Sequence, residues 1–397
     1  MNVAEKYNIS RDLFALSTVR FADAFGNGLL IIVIPLYLSE FEVEIVGIPQ
    51  ELLIGIVLAS YGLASSFLQP FFGKTSDKIG KRKPFLVYGL IVVGIASFSF
   101  SFVDSFTSLL AANIFRGMAV AITIAPTMAL VSEITYKKTR GGSMGVYTTM
   151  RMAGFAIAPI FSGIMIETIG FISVFILAGT VAIAISIFAQ LWVNDSKPKS
   201  KTSSTSSSKK ENKKIPSDLY ILGLAIGFMV ISISLITTLE QQFNQKLSQT
   251  AIGFSIAFSA LIITRILFQT PIGHISDKKG RKNLVSIGMI GMGLLTFLLP
   301  YVQTTFELIL IRIGQGIASA GVVAPGFALA ADIAGKRKGK EMSVMTTSFM
   351  LGLAAGPLIA GLFAGYLSFE SPFYISGILS VLGGILVYKY VKETIQQ

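Results

Sequence analysis

The sequence predicts an all-α membrane protein in which twelve transmembrane helices form two parallel six-helix repeats. The first observation is composition, because 52% of the 397 residues are hydrophobic and only 14% are charged. The mean hydropathy is +0.70, whereas soluble domains carry about 25% charged residues. The second observation is that apolar runs of membrane-spanning length recur along the chain. The third is that the second half of the chain repeats motifs of the first.

Twelve apolar segments are separated by charged or turn-rich breaks. A transmembrane helix needs about 20 mostly apolar residues to cross the hydrocarbon core. The predicted spans are residues 13–38, 51–72, 84–103, 106–131, 142–166, 169–192, 218–239, 250–272, 283–302, 306–331, 342–365 and 371–390. The first run is too long for a signal peptide and has no small-residue cleavage site, so we expect it to remain as a span.

The basic residues are distributed unevenly between the two predicted faces of the membrane. The chain has 33 Lys and Arg against 21 Asp and Glu, a formal charge of +12 that on a soluble protein would suggest nucleic acid. Here 27 of the 33 fall on the face that carries both termini, and only Lys246 falls on the other. Lys and Arg in short loops mark the cytoplasmic side. We therefore expect a multi-pass protein of the cell membrane with cytoplasmic termini and no nucleic-acid partner.

A polar segment divides the chain into two sets of six spans. Residues 194–217 are rich in Ser, Thr and Lys and hold no large apolar residue before Ile215. Such a tract cannot bury a core and is typical of a flexible linker, although its seven lysines could also contact anionic lipid. The predicted domains are therefore residues 1–193 and residues 218–397, joined by a cytoplasmic linker at 194–217.

Motifs of the first half recur about 200 residues later. Gly73-Xaa3-Asp77-Lys78-Xaa-Gly80-Lys81-Arg82 after span two returns as Gly273-Xaa3-Asp277-Lys278-Xaa-Gly280-Arg281-Lys282 after span eight. Gly154-Xaa4-Pro159-Xaa3-Gly163 in span five returns as Gly352-Xaa4-Pro357-Xaa3-Gly361 in span eleven. A steady offset indicates a tandem duplication. Because six spans is an even number, the two copies share one orientation, and parallel repeats place a substrate site at mid-membrane between them.

The doubled loop motif and the twelve spans resemble the major facilitator superfamily over the whole chain. This resemblance implies a secondary transporter with a central cavity between two six-helix bundles. It also implies that charged residues in the repeated loops act as latches between inward and outward states, whereas a turn anchored by basic residues would be purely structural. The residues expected to form these gating loops are Gly73, Asp77, Lys78, Gly80, Lys81, Arg82, Gly273, Asp277, Gly280 and Arg281, with Glu133 and Asp332 on the same face.

The glycine and proline residues of spans five and eleven are expected to form smooth helix faces that let a neighbouring helix approach closely. The residues concerned are Gly145, Gly154, Pro159 and Gly163 in span five and Gly352, Gly356, Pro357 and Gly361 in span eleven. In the family that the sequence resembles, a fuller row in span five is associated with exporters that work as antiporters. The row here is incomplete and present in both halves, so shared packing is the alternative.

Charged residues inside spans indicate function by default, because each is costly in hydrocarbon. Asp23 lies well inside span one and Arg116 lies at a similar depth in span four. We expect these two side chains to pair, with protonation of Asp23 releasing Arg116. A static ion pair, or an Asp23 that faces water, is the alternative. Other residues expected near the cavity are Asn27, Asn113, Arg265, Arg312 and Gln315.

The match to the family is imperfect in span four. The family pattern, an Arg three residues before a Gln-Gly pair, is complete in span ten as Arg312-Ile-Gly-Gln315-Gly316. In span four, Asn113 stands where the Arg is expected and Arg116 stands where the Gln is expected. Arg20 and Arg265 could instead extend towards the cytoplasm, and Glu240 could face the exit or end its helix.

Two transport functions remain open, and a receptor or sensor without transport would look the same in sequence. The chain has no cysteine, one histidine and no nucleotide-binding or hydrolase motif, so we expect neither an enzyme nor a metal or cofactor site. We predict a transporter of a small molecule, functioning as a monomer. Asp23 and the span-five row favour proton-coupled export of drug-like or amphipathic compounds. The surplus of intramembrane arginines favours uptake of small organic anions, sugars or similar metabolites.

Overall fold

The computed structural model describes residues 11–41, 47–134, 140–195, 215–334 and 338–394. Twelve helices in this part of the chain are long and apolar enough to cross a membrane, which confirms the predicted number. We number these segments α1 to α12. Their bounds are Arg11–Ser39, Gln50–Ile79, Lys83–Ser99, Phe106–Ile134, Arg140–Thr168, Phe171–Trp192, Ser217–Lys246, Ala251–Lys279, Arg281–Leu298, Thr305–Ala334, Lys338–Tyr366 and Ser371–Tyr390. A short 3-10 turn follows both α3 and α9.

Helices α2 and α8 extend beyond their predicted ends at residues 72 and 272. They continue to Ile79 and Lys279, so most of each signature motif is helical. Gly73 and its repeat Gly273 therefore lie within helices. The turn belongs to Gly80 and Gly280, whose φ angles of 73° and 93° fall in the region that favours glycine. Hydropathy marks the end of an apolar run, but a helix can continue beyond it into water.

Segment α7 is also longer than predicted, and it is broken. The helix Ser217–Ser234 is followed by a 3-10 stretch, Leu235–Leu239, and by a short helix, Glu240–Lys246. The predicted end at residue 239 thus coincides with the break rather than with the end of the segment. A stretch of 3-10 geometry within a helix often marks a hinge or a functional site.

The predicted linker, residues 194–217, lies mostly outside the described residues. Its first described part is fixed to the N-terminal half, because the Asp195 carboxylate accepts hydrogen bonds from the backbone N–H groups of Arg82 and Lys83 at 3.0 and 3.2 Å. At the other end of the linker, the Asp218 carboxylate accepts a hydrogen bond from the backbone N–H of Lys392 at 3.1 Å. These contacts place the two ends of the linker beside their own six-helix halves.

Each half is held together by close helix contacts at equivalent glycines. In the first half, a Cβ atom added at Gly154 of α5 would lie 2.4 Å from the carbonyl oxygen of Phe21 in α1. In the second half, a Cβ atom at Gly352 of α11 would lie 2.5 Å from the carbonyl oxygen of Gly227 in α7. Helices that approach this closely gain dispersion contacts that lipid does not supply. The repeat in the sequence is therefore a repeat in packing.

The two halves meet along a seam near one face of the molecule. We call the face that carries the start of α1 and the end of α12 the terminal face, and the opposite one the distal face. Helix α2 crosses α11 and helix α5 crosses α8 near the distal face. A Cβ atom at Gly55 would lie 2.4 Å from the carbonyl oxygen of Pro357, and one at Gly361 would lie 2.4 Å from that of Glu51. We call these crossings the distal seam.

Hydrogen bonds reinforce the distal seam. Gln242 Nε2 donates to Glu51 Oε1 at 2.7 Å, and the backbone N–H of Ile252 donates to Glu167 Oε1 at 2.9 Å. Among the described residues, the hydrogen bonds and close glycine contacts between the halves lie towards the distal face, the deepest being Gly62 against Ala354. Within the described ranges, the structure is therefore joined on the distal side, and no such hydrogen bond or close glycine contact lies towards the terminal face.

The seam is predicted to be sensitive to a single methyl group at Gly55. In Gly55→Ala the new Cβ would overlap backbone atoms of α11, so we expect the distal seam to open. Because the chain has no native cysteine, spin labels at Asp104→Cys and Gln303→Cys can report the distance between the distal ends of the halves. We expect a longer distance in Gly55→Ala.

Gly273→Ala is the matched control, because it is also a glycine in the second helix of a half and nothing lies within 4 Å of its added Cβ. We expect this variant to keep the wild-type distance. An unchanged distance in Gly55→Ala would contradict the role assigned to the seam.

Candidate functional site

A network of polar side chains lies at mid-membrane in the first half. Arg20 Nη1 donates to Asp23 Oδ2 at 2.6 Å, forming a buried ion pair one helical turn apart. Asn27 Nδ2, one turn further along α1, donates to Asp23 Oδ1 at 3.0 Å. The Tyr61 hydroxyl of α2 donates to Asn27 Oδ1 at 3.4 Å. Positions three and four apart share one face of a helix, so α1 aligns this row itself.

The predicted pair between Asp23 and Arg116 is not formed in this structure. Asp23 is paired with Arg20 instead, and Arg116 Nη1 donates to Asn113 Oδ1 at 3.2 Å. The guanidinium carbon of Arg116 lies 4.3 Å from the centre of the Tyr61 ring. Tyr61 therefore links the two predicted partners, since its hydroxyl meets Asn27 and its ring covers Arg116. Arg20 pairs with Asp23 because both residues lie on one face of α1, so their contact does not depend on the alignment of two helices.

Arg151 and Arg265 extend this charged region towards the second half. Arg151 of α5 lies within electrostatic range of Arg20, Asp23 and Tyr61. The charge of Arg151 also acts on Arg265 of α8. Neither Arg151 nor Tyr61 is among the site residues predicted from the sequence. The signal that could have found Arg151 is its charge inside span five, because a charged residue within a span indicates function.

Arg312 and Gln315 lie apart from this network, inside the second half. Arg312 is completely buried, and its Nη1 donates to Gln315 Oε1 at 2.9 Å. Gln315 Nε2 donates to Thr296 Oγ1 at 3.1 Å, and the Arg312 guanidinium lies 5.7 Å from the centre of the Phe258 ring. The structure therefore brings Asp23, Asn27, Asn113 and Arg116 together but keeps Arg312 and Gln315 within the packing of α8, α9 and α10.

The signature motif forms an arginine-bridged cluster at the terminal face of the first half. Arg82 Nη2 lies 2.5 Å from Asp77 Oδ1 and 3.3 Å from Glu133 Oε1. Partial burial lowers the pKa of the Arg82 guanidinium, but its hydrogen bonds to Asp77 and Glu133 raise that pKa more, so the net shift is upward. Lys78 and Lys81 are exposed. The cluster joins the ends of α2 and α4.

The second half repeats this cluster. Arg281 Nη2 lies 2.9 Å from Asp277 Oδ1, and Arg281 Nη1 pairs with Asp332. The Asp332 carboxylate also accepts a hydrogen bond from the Thr394 hydroxyl at 2.8 Å. Each cluster connects two helices of its own half. These contacts therefore fasten α2 to α4 and α8 to α10, and they do not cross between the halves.

The predicted glycine and proline rows divide between two kinds of contact. Gly154, Gly352 and Gly356 lie against helices of their own half, whereas Gly163, Pro357 and Gly361 lie at the distal seam. Pro159 and Pro357 lie within their helices. Gly145 has nothing within 4 Å of an added Cβ. The rows therefore serve both the packing inside each half and the contact between the halves.

Glu240, which the sequence leaves as facing the exit or ending its helix, is a functional candidate. It begins the short helix after the break in α7, and its side chain is completely buried. Neither carboxyl oxygen has a hydrogen-bond partner in the described part of the chain. Leu239 and Phe243 beside it belong to an apolar cluster with Ile32 of α1. A buried carboxyl group without a partner is costly when ionised. The break in α7 is what turns this residue inward, and hydropathy gives no sign of it.

These side chains can bind polar groups and exchange protons. In the described residues no group of three or more His, Asp and Glu is positioned to hold a metal ion. Two repeated six-helix halves, joined on one side of the membrane and lined at mid-depth by buried charges, define a membrane transporter. The sequence matches the family model of the Major Facilitator Superfamily over residues 16–239 and 218–396, and the chain belongs to that family.

Relatives and solved structures agree with this assignment. The chain is 27% identical to the quinolone resistance protein NorA of Staphylococcus aureus, covering 96% of both chains. It is 22% identical to the multi-drug resistance efflux pump PmrA homolog of Lactococcus lactis, covering 94% of this chain and 92% of the relative. The fold matches a bacterial homolog of the human lysosomal transporter Spinster, crystallised inward-facing and occupied, with a TM-score of 0.78, 12% identity and 95% of each chain covered.

The cluster at the terminal face is predicted to stabilise the first half. In Arg82→Gln, Asp77 and Glu133 lose their shared cation, and we expect the free energy of unfolding to fall by an amount on the order of 1–2 kcal/mol. The midpoint of thermal unfolding in detergent should fall by several degrees. Lys81→Gln, which removes the adjacent but exposed cation, should leave the midpoint within experimental error. Equal midpoints in both variants would show that the cluster contributes nothing to stability.

Proposed function

We propose that this protein exports amphipathic, drug-like compounds across the cell membrane in exchange for protons. It works as a monomer, with both termini in the cytoplasm and the linker between two six-helix domains. The observation that carries this proposal is the presence of two buried carboxyl groups, Asp23 and Glu240, while the other buried charges of the described residues are arginines. A carboxyl group that alternates between a buried and a wet position is a device for carrying protons.

The orientation follows from the basic residues, because the terminal face carries nearly all the loop Lys and Arg. With that face in the cytoplasm, the distal seam lies at the outside of the cell. The state described here is then closed to the outside, and a compound in the cytoplasm or inner leaflet would enter between the halves. This is the state from which an exporter loads.

Asp23 is suited to respond to the cytoplasmic side. Its carboxylate is held by Arg20 at 2.6 Å and by Asn27 at 3.0 Å. A proton on Asp23 removes the charge that holds Arg20, while the Asn27 bond extends the change to Tyr61 and so to Arg116. The proton-coupling role expected from the sequence is retained, with Arg20 as the released cation.

Glu240 is suited to respond to the outside. It lies beside the distal seam, where Gln242 of the same short helix bonds to Glu51 of α2. Closing the seam around an ionised and unpartnered carboxylate would be unfavourable. A proton taken up from outside therefore permits the seam to close, which links proton entry to the return of the transporter to the loading state.

The two relatives support the direction of transport, because one is named as an efflux pump and the other as a resistance protein. Uptake of small organic anions is the second candidate. It is favoured by the number of arginines at mid-membrane, three of which, Arg20, Arg116 and Arg151, accompany a single buried aspartate around Tyr61.

Everted membrane vesicles distinguish the two functions. With the interior acid, an exporter accumulates N-phenyl-1-naphthylamine, and collapse of the proton gradient releases the dye. Accumulation in right-side-out vesicles driven by proton entry would support uptake instead and would overturn the proposed direction.

Neutralising either carboxyl group is predicted to uncouple transport. In Asp23→Asn and Glu240→Gln we expect gradient-driven dye accumulation to fall more than tenfold, while dye exchange without a gradient stays within threefold of wild type. Asp104→Asn and Glu307→Gln are the matched controls, since both residues are exposed. Undiminished gradient dependence in both test variants would contradict the proposed coupling.

The arginine-bridged clusters act as latches in this cycle. Each cluster holds two helices of one half together at the cytoplasmic face. As a latch, it forms in one state of the transporter and breaks in the other. In Asp77→Asn we expect a changed distance between spin labels at the cytoplasmic ends of the halves and a lower transport rate. Lys78→Gln, which alters an exposed neighbour, should change neither. An Asp77→Asn variant with wild-type distance and rate would remove the latch role.

A further inference from the structure

We infer that Arg151 and Arg265 form a two-part binding site for an anionic group, with one arginine from each half. The substrates are then amphipathic compounds that carry a carboxylate, sulfonate or phosphate. This inference rests on the proposed function as a transporter of amphipathic compounds and specifies their charge.

The two arginines belong to the helices that cross between the halves. Arg151 is the twelfth residue of α5, and Arg265 is the fifteenth residue of α8. Counted from the distal ends of these antiparallel helices, their depths differ by three residues, or about 5 Å at 1.5 Å per residue. Above them, a Cβ atom at Gly163 would lie 2.5 Å from Ser255 Oγ, so the distal seam closes this pair of helices from the outside.

Neither guanidinium has an acidic partner within the described residues. The Nε atoms of both arginines are shielded from solvent and lack a hydrogen-bond partner. Asp23, whose charge acts on Arg151, is already held by Arg20 and Asn27. Arg82 and Arg281 of the terminal-face clusters are each paired with two carboxylates. The buried Arg116 and Arg312 lack a carboxylate but donate hydrogen bonds to Asn113 and Gln315. Arg151 and Arg265 have neither kind of partner among the described residues.

Arg312 also has nitrogen atoms without partners, but it does not fit a substrate site. It is completely buried within the second half and lies against Phe258. Arg151 and Arg265 are both partly accessible. Accessibility and a position at the junction of the halves therefore distinguish these two arginines from Arg312.

An anion between the two arginines would relieve a cost that the protein alone leaves in place. Like charges repel strongly in a medium of low dielectric constant, and Arg20 adds to the positive charge acting on Arg151. A carboxylate, sulfonate or phosphate accepts paired hydrogen bonds from guanidinium groups. Because the arginines come from different halves, a bound anion would also draw the halves together, so binding is coupled to a change of state.

The surroundings of Arg151 favour an apolar body on the same molecule. Its guanidinium lies 5.4 Å from the centre of the Phe155 ring. This partly accessible ring suits an aromatic or aliphatic portion, whereas a small inorganic anion would leave it unused.

The test compares two probes with one skeleton. N-phenyl-1-naphthylamine is neutral, and 8-anilinonaphthalene-1-sulfonate adds a sulfonate to it. Equilibrium binding of both is measured to the full-length protein in lipid nanodiscs, with empty nanodiscs subtracted. The variants are Arg151→Gln, Arg265→Gln and the double variant, and Arg11→Gln is the control because Arg11 is exposed at the terminal face.

We expect the Kd of the sulfonate to rise at least tenfold in each single variant. In the double variant, the rise in Kd should be smaller than the product of the two single rises, because both guanidinium groups hold one anion. The Kd of the neutral probe should stay within twofold. If a Gln variant is not recovered folded, Arg151→Lys and Arg265→Lys are measured in its place. In these variants we expect a smaller rise in the Kd of the sulfonate and no change in the Kd of the neutral probe.

Unchanged sulfonate binding in the variants, or an equal loss for both probes, would overturn the inference. The vesicle assay tests the proposed function separately. A protein that binds the sulfonate through both arginines but accumulates dyes inward keeps this site and loses the proposed export. A protein that exports the neutral dye without binding the sulfonate keeps the export and loses this site.

Discussion

The bilayer offers no hydrogen-bond partner to the backbone and no water to a charge, and this constraint accounts for most of the structure. Backbone groups are satisfied by twelve helices. Charges at mid-depth need partners, which is why Asp23 is held by Arg20 and Asn27 on the same helix. Among the described residues, side-chain atoms of Glu240, Arg151 and Arg265 lack a hydrogen-bond partner, so the packing of the helices does not explain these charges. Those positions are where function is to be sought.

The duplication creates two firm bodies with a more limited connection between them. Within each half, glycine contacts and an arginine-bridged cluster fasten neighbouring helices. Between the halves, the hydrogen bonds and close glycine contacts of the described residues lie at the distal seam, and an apolar cluster that includes Ile32 also spans both halves there. Such an arrangement favours movement of the halves as units, because these contacts lie on one side and opening them leaves each half intact.

The proposed proton and substrate sites lie along this division. Asp23 belongs to the first half, Glu240 begins a helix of the second half beside the seam, and Arg151 and Arg265 stand on either side of the junction. A proton or anion bound at the junction changes the electrostatic cost of bringing the halves together. Coupling then needs no long pathway, because each ligand acts on the same movement.

The sequence by itself determined the number of spans, the duplication and the family, because each depends on hydropathy or spacing along the chain. It also located the two arginine clusters, since Asp77, Arg82 and Glu133 and their repeats fall at helix ends on one face. Only the tertiary structure decided which charges meet. Arg20, and not Arg116, forms the ion pair with Asp23, and Arg312 lies inside its own half. The break in α7 buried Glu240. Hydropathy reports the depth of a residue but not the direction in which it points around its helix, and that direction is set by the packing of the neighbouring helices.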